Sequence, residues 1–303
     1  MFQATQQHYP QAVTTWVVGK VETQPLQGLP SVCLVVFDKR QGWLAYGQLW
    51  KQLRGQRFDA LLHMQVALWA NLALLCISAR RKIGFDWRTP KELHALIMPE
   101  RVALVQGLHV LEGFPEFARA FGVPMQAQQW TMPIVPEQQA WAQQRFQRSG
   151  YHRHLVLCPS ASLPHKNWLP ERYAAVADYA DQKGFAVWLC GGPDASKQAM
   201  AQAIVQASRT GSSHLFNLTG QTHLQQLLAL IQQATVVLAP DTGPAHMAVA
   251  LGTPVIDLYG IHNPARTGPC ASTYEVEVYH KHLQTQSGKT ASQVKWGTRV
   301  KGL

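Results

Sequence analysis

Residues 235–260 read TVVLAPDTGPAHMAVALGTPVIDLYG. An apolar, β-branched strand ends at Asp241, Thr242-Gly243-Pro244 makes a tight turn, and a helix begins at once. Such a junction gathers exposed backbone N–H groups and the positive end of the helix dipole at one point. That is an anion site, suited to the pyrophosphate of a nucleotide. Gly243 would let a ligand approach the backbone with no Cβ in the way, and Pro244 suits the first helical turn. The same letters also describe an ordinary strand-to-helix turn with Asp241 as its cap, and spacing alone leaves the two readings level.

The elements that must position this junction recur along the whole chain. Short apolar runs lie at 14–19, 31–37, 58–64 and 82–85 in the first half, and at 154–160, 185–192, 215–220, 235–241 and 254–260 in the second. Helical patterns separate them, so the fold class is α/β, with parallel sheets covered on both faces. Pro170 opens one helix that Gly184 ends, Thr222 with Gln225 forms a capping box for a second, and Pro244 opens a third that stops at Gly252. The proline-bearing polar stretch 133–150 reads as a junction, which gives a first domain over 1–140 and a second over 150–280. In such sheets ligands bind beyond the carboxyl ends of the strands.

Composition narrows the class. The chain has 303 residues, 47% of them hydrophobic and 15% charged, which excludes disorder over most of its length. Net charge is +10, from 27 Lys+Arg against 17 Asp+Glu, and favours an anionic partner or simply a soluble surface. No aromatic-basic RNA signature accompanies it, so nucleic acid is not an expected partner. The five cysteines form no CxxC pair, and Cys33, Cys158 and Cys190 fall in strand-like runs. They read as buried, reduced thiols, with no metal site among them and the cytoplasm as the expected location. Met1 opens onto FQATQQHYPQ, which lacks the apolar core of a signal peptide. The longest apolar stretch, 60–78, carries His63, Gln65 and Asn71 and reads as a strand and helix, not a membrane span.

DTGPAHMAVALGTPVIDLYG together with NPARTGP at 263–269 resembles the signature of family-9 glycosyltransferases, the lipopolysaccharide heptosyltransferases. PSASLPHKNWLPERY at 159–173 looks like that family's segment with a lysine near a tryptophan, and GGPD at 191–194 and NLTGQTHLQQLLALIQQA at 217–234 follow in the expected order. The resemblance is strong after residue 154 and diffuse before it. It implies a GT-B fold, two Rossmann-like domains with parallel sheets facing across a cleft, and an inverting, metal-independent transfer of heptose. The donor would be ADP-heptose or another sugar nucleotide, with no further cofactor, and the acceptor the inner core of lipopolysaccharide.

Residue by residue, the resemblance places Lys166 against the leaving diphosphate, where departing ADP builds negative charge, with the hydroxyls and amides of Ser160 and Ser162 beside it. Thr242, Gly243, Pro244 and His246 would form the opposite wall. Asp241 would bind a sugar hydroxyl or orient the turn, and on the donor side it is a poor deprotonating base. The backbone at Thr222 would meet the adenine edge, with Leu224 packed beside it. Asp194 would either hold the ribose hydroxyls or cap the helix that follows.

The chain departs from the family pattern at both ends. MFQATQQHYPQAVTTWVVG matches the end of the family's first helix and its second strand, so the first strand and the Gly-Asp loop that carries the proposed general base are absent. Asp38 and Asp86 each follow a strand, but turn or capping roles suit both better. After Glu277 come 26 residues without an acid, read as a basic, solvated tail over 281–303 that could touch anionic membrane. Two readings stay open: an active heptosyltransferase, and a shortened donor-binding relative without turnover.

Overall fold

Alternating apolar residues dictate how the sheets are covered. In the computed structural model, which describes residues 1–303 except 21–22, 27–28, 30, 66–67, 87–97, 104–108, 125–131, 162, 210–213, 269–273, 295–297 and 301–303, the chain divides into two units, Met1–Gln129 and Trp130–Leu303. All strand pairs are parallel among the described residues.

The first unit holds β1 (Thr14–Val18), β2 (Val32–Val36), β3 (Phe58–His63), β4 (Ala79–Asp86) and β5 (Glu100–Ala103), with helices α1 (Phe2–His8), α2 (Trp43–Leu53), α3 (Leu68–Ala73) and α4 (Phe114–Arg119). Its strands fall into two sheets, β1-β2 and β3-β4-β5, with no ladder joining them among the described residues. Tyr46, Leu49 and Leu53 of α2 pack with Val17 and Val35, while Phe117 of α4 packs with Ile83, Phe85 and Val102. Two of the three polar residues of the apolar stretch satisfy each other: His63 and Asn71 are buried and bonded at 2.7 Å.

The second unit holds β6 (Arg153–Leu157), β7 (Phe185–Leu189), β8 (Leu215–Asn217), β9 (Val236–Pro240), β10 (Val255–Tyr259) and β11 (Tyr274–Glu277). Its helices are α5 (Pro136–Arg148), α6 (Pro170–Gln182), α7 (Ala195–Ala207), α8 (Leu224–Gln233), α9 (Gly243–Leu251), α10 (Pro264–Thr267) and α11 (Tyr279–Ser287). The six strands run in the order β11-β10-β9-β6-β7-β8. The period of two divides β6 between both faces. Leu155 and Leu157 meet Tyr173, Ala177 and Ile204 of α6 and α7, and Val156 and Cys158 meet Phe146 of α5, Leu230 of α8 and Ala248 of α9. No helix among the described residues is long and apolar enough to cross a membrane.

Several local expectations need correction. The capping box sits one residue later than expected, with His223 as the cap and Gln226 as its partner. Gln225 is instead buried and turned to the backbone before α5, where its amide accepts from Val135 N at 3.2 Å and donates to Pro133 O at 3.1 Å. Cys158 and Cys190 are buried, and burial pushes the Cys158 thiol up to about 12. Cys33 is exposed instead, because β2 pairs only with β1 among the described residues and its sheet is covered incompletely. The stretch read as a solvated tail contains α11, whose Tyr279 and Leu283 are buried with Val300. Val300 N donates to Ile261 O at 3.1 Å, so this segment returns to the loop after β10. Cys270 lies outside the described residues.

Candidate functional site

The order of the second sheet reverses direction between β6 and β9: from β6 the chain steps outward to β7 and β8, then returns to β9 on the other side. Loops leaving these two neighbours diverge, and the crevice between them is where an open parallel sheet offers room for a ligand. Lys166 arrives from one loop and Asp241 from the other.

After β6, the Ala161 amide donates to Asn167 Oδ1 at 2.6 Å and closes the loop on itself. A short 3-10 turn, Pro164–Lys166, then carries the lysine inward. Lys166 Nζ donates to Asp241 Oδ2 at 2.8 Å, with both side chains largely buried. A third strand end contributes to the same carboxylate. His262, three residues past β10, contacts Asp241 Oδ2 through Nδ1 at 2.6 Å. An ionised carboxylate can only accept, so this ring nitrogen carries the proton. The Tyr259 hydroxyl lies 3.1 Å from Asp241 Oδ1 and 2.9 Å from Thr267 O, with one proton to share between them.

Electrostatics follow from this crowding. Burial alone would raise the Asp241 carboxyl, but hydrogen bonds from His262 and Lys166, and then their charges, hold it well below the usual carboxylate range. Burial, with the carboxylates of Asp257 and Asp241, pushes the Tyr259 phenol far up, so it remains a donor. The result is a fixed anion with three donors on two oxygens.

The helix beyond Asp241 starts without a side-chain cap. Thr242 is its N-cap residue, yet its hydroxyl turns back to Pro240 O at 2.9 Å. Asp241 therefore does not cap α9, and the first amides of the helix stay free of side-chain acceptors from the cap. Gly243 is exposed, and an added Cβ there would meet only Met247 Cε at 3.9 Å. Its φ is not positive either, so neither packing nor backbone conformation requires glycine at this point. Pro244 occupies the first turn, and His246 lies exposed one step further. On the β6 side, the Ser160 hydroxyl is buried and bonds to none of the described residues. Ser162 lies outside the described residues.

Asp194, Thr222 and Leu224 gather elsewhere, at the carboxyl ends of β7 and β8. Asp194 stands at the N-cap of α7 but does not cap it; its carboxylate pairs with Lys197 at 2.8 Å, and that bond and charge lower its pKa. The preceding glycines sit in tight space: a Cβ at Gly191 would lie 3.1 Å from Thr219 Cγ2, and one at Gly192 3.1 Å from the movable tip of Lys197. Thr222 is half-buried just before the cap of α8, and Leu224 packs against the core. An open groove beside them is lined by Gln198, Gln202, Asn217, Thr219, Gly220 and Gln221. The Thr219 hydroxyl there is buried and unbonded among the described residues.

His262 and Tyr259 were not legible as site residues. The motif letters run through Tyr259 and resume at Asn263, and His262 falls in the gap. The signal was available in position: both lie at or just past the carboxyl end of β10, the neighbour of β9.

The model of glycosyltransferase family 9 (heptosyltransferase) matches residues 46–296. The chain is 38% identical over 301 residues to the lipopolysaccharide core heptosyltransferase OpsX of Haemophilus influenzae, covering 99% of this chain and 85% of that one. It is 26% identical to lipopolysaccharide heptosyltransferase 2 of Escherichia coli, across 93% of this chain and 84% of the relative. Among solved structures it is similar to a family-9 glycosyl transferase from Veillonella parvula, with a TM-score of 0.77 at 20% identity over 97% of this chain and 86% of that one. It is also similar to the E. coli heptosyltransferase WaaC with ADP, with a TM-score of 0.73 at 19% identity over 91% and 86% of the two chains.

Proposed function

As the chain belongs to glycosyltransferase family 9, we propose that it transfers heptose from ADP-heptose to the inner core of lipopolysaccharide. The reaction is inverting and uses neither metal nor cofactor beyond the activated sugar. It takes place at the cytoplasmic face of the inner membrane, with the enzyme in peripheral contact with anionic lipid.

The observation that carries this reading is the meeting of Lys166 with Asp241 beside the uncapped start of α9. The acceptor hydroxyl attacks the anomeric carbon while the bond to the diphosphate oxygen breaks, and ADP leaves with the electron pair. Lys166 and the amides of Thr242 and Gly243 receive the charge that develops on it. Gly243 supports a close approach, because nothing in the protein itself calls for a missing Cβ there. In the free protein Asp241 holds Lys166 ready. Once the diphosphate draws the lysine away, His262 and Tyr259 keep Asp241 ionised and fixed, free to accept a hydroxyl of the donor sugar. His246 faces the same ligand from the first turn of α9, and Ser160 and Ser162 approach from the β6 loop. Adenosine lies toward Thr222, Leu224 and the amide-lined groove, with its ribose near Asp194.

Asp241 is too acidic to take the acceptor's proton, so that base comes from the acceptor side. One observation favours the second reading, donor binding without turnover. Asp38, a strand-end acid of the first unit, already accepts from Arg40 N at 3.1 Å and pairs with its guanidinium at 3.6 Å. Titration with ADP-heptose, followed by transfer to a Kdo-bearing acceptor, tests both. Binding with transfer supports the enzyme, binding alone supports the second reading, and neither refutes the donor site.

A further inference from the structure

Helix α2 is apolar on two sides. Ala45, Tyr46, Leu49 and Leu53 face the core, as an amphipathic helix requires. Yet Trp43, Leu44 and Trp50 are 76%, 73% and 50% exposed. The neighbouring segment repeats the pattern, with Leu68, Trp69 and Leu75 at 59%, 50% and 66%. These side chains belong to one surface. The Tyr46 hydroxyl donates to Trp69 O at 3.2 Å, Cys76 Sγ donates to Tyr46 O at 3.6 Å, and the Trp43 ring lies 5.5 Å from that of Tyr46. Exposed apolar side chains concentrated on two segments that pack together mark a contact surface.

The flanking charges identify the partner. Lys39, Arg40, Lys51 and Arg54 are all exposed around α2, and the Arg54 guanidinium sits 5.3 Å over the Trp50 ring. The one acid in this stretch, Asp38, is taken by Arg40. A second copy docked through the same patch would set cation against cation across a two-fold axis. An anionic bilayer satisfies both features, with tryptophans among the headgroups and basic side chains on lipid phosphates. We infer that the outer faces of α2 and α3 in the first unit dock the protein on an anionic phospholipid surface. The inference rests on the peripheral membrane contact proposed above and names the surface that makes it.

The test is cosedimentation of the full chain with phosphatidylcholine vesicles, with and without phosphatidylglycerol, alongside ADP binding as an independent readout. The wild-type protein is expected to bind the anionic vesicles, more weakly as salt rises, with a blue shift of tryptophan emission. A Trp43→Ser/Leu44→Ser/Trp69→Ser variant should bind them at least tenfold more weakly, with ADP affinity unchanged. Should that variant fail to fold, Lys51→Glu/Arg54→Glu, which alters only exposed residues, should show the same loss. Wild-type protein that ignores anionic vesicles, variants that bind as well as wild type, or a self-association abolished by the variants would overturn the inference. Loss of ADP binding in the wild-type protein would count against the donor site instead.

Discussion

His262 and Lys166, from loops on opposite sides of β9, bond the same oxygen of Asp241, at 2.6 and 2.8 Å. Two donors on one carboxylate oxygen fix its direction and make it a strong acid. They also mean that either donor can leave without stranding the charge.

The first prediction concerns the lysine that leaves. Lys166→Gln should lower kcat/KM by roughly a hundredfold to a thousandfold, the loss seen when one donor to a developing oxyanion is removed. Steady-state kinetics with saturating acceptor would measure it. A variant within threefold of wild type would remove Lys166 from the leaving-group site.

Gly243→Ala separates folding from ligand binding. The new methyl group meets only Met247 Cε at 3.9 Å, so stability should hold or rise by about 0.4–1 kcal/mol from the lower entropy of the unfolded chain. ADP affinity should fall at least tenfold, because the Cβ stands where the diphosphate approaches the backbone. Denaturant melts and calorimetric titration read the two effects separately. Unchanged affinity would mean that no ligand comes close at this turn.

Asp241→Asn should cost about 1.5–3 kcal/mol, the range for lost hydrogen bonds to a charged group. It should also change the pH dependence of stability. The folded carboxyl lies below its unfolded value, so its contribution is complete above about pH 4 and lost as pH falls further. Wild-type stability should therefore drop on acidification below that point by more than the variant's does. Parallel pH profiles for the two proteins would contradict the ionised, doubly bonded carboxylate.

His262 should act through Asp241 and not on the substrate. His262→Gln, which can still donate to the carboxylate, is expected to keep turnover within about threefold of wild type, while His262→Ala should raise the KM for the donor about tenfold, the effect of losing roughly 1.4 kcal/mol of positioning. The comparison is a KM-against-kcat split for the two variants. Equal defects in both would show that the imidazole does more than orient Asp241.

Much of this was legible in the sequence because both faces of the second sheet are buried. Runs such as LVLC at 155–158, short and bounded by breakers, read as covered strands, and the prolines and glycines that bound α6 and α9 punctuate the sequence. The short strands β5 and β11 were not visible. Glu100 and Arg101 make β5 look like a loop, and the reason they sit in a strand is a tertiary one: Arg81 on β4 bonds Glu100 across the ladder. The capping shift at His223 has the same origin, since Gln225 is engaged by the backbone at 133–135, some 90 residues away. In the site, Lys166 and Asp241 were found by motif, but their bond was not, and His262 was missed because contact across strand ends is not written in local spacing.

The central claim is that the diphosphate of the donor is received between Lys166 and the first amides of α9. A crystal structure of the protein soaked with ADP measures this directly. The predicted result is a diphosphate oxygen within hydrogen-bonding distance of Lys166 Nζ and of the Gly243 amide, with Asp241 still held by His262. A diphosphate bound elsewhere, with Lys166 still on Asp241, would contradict it.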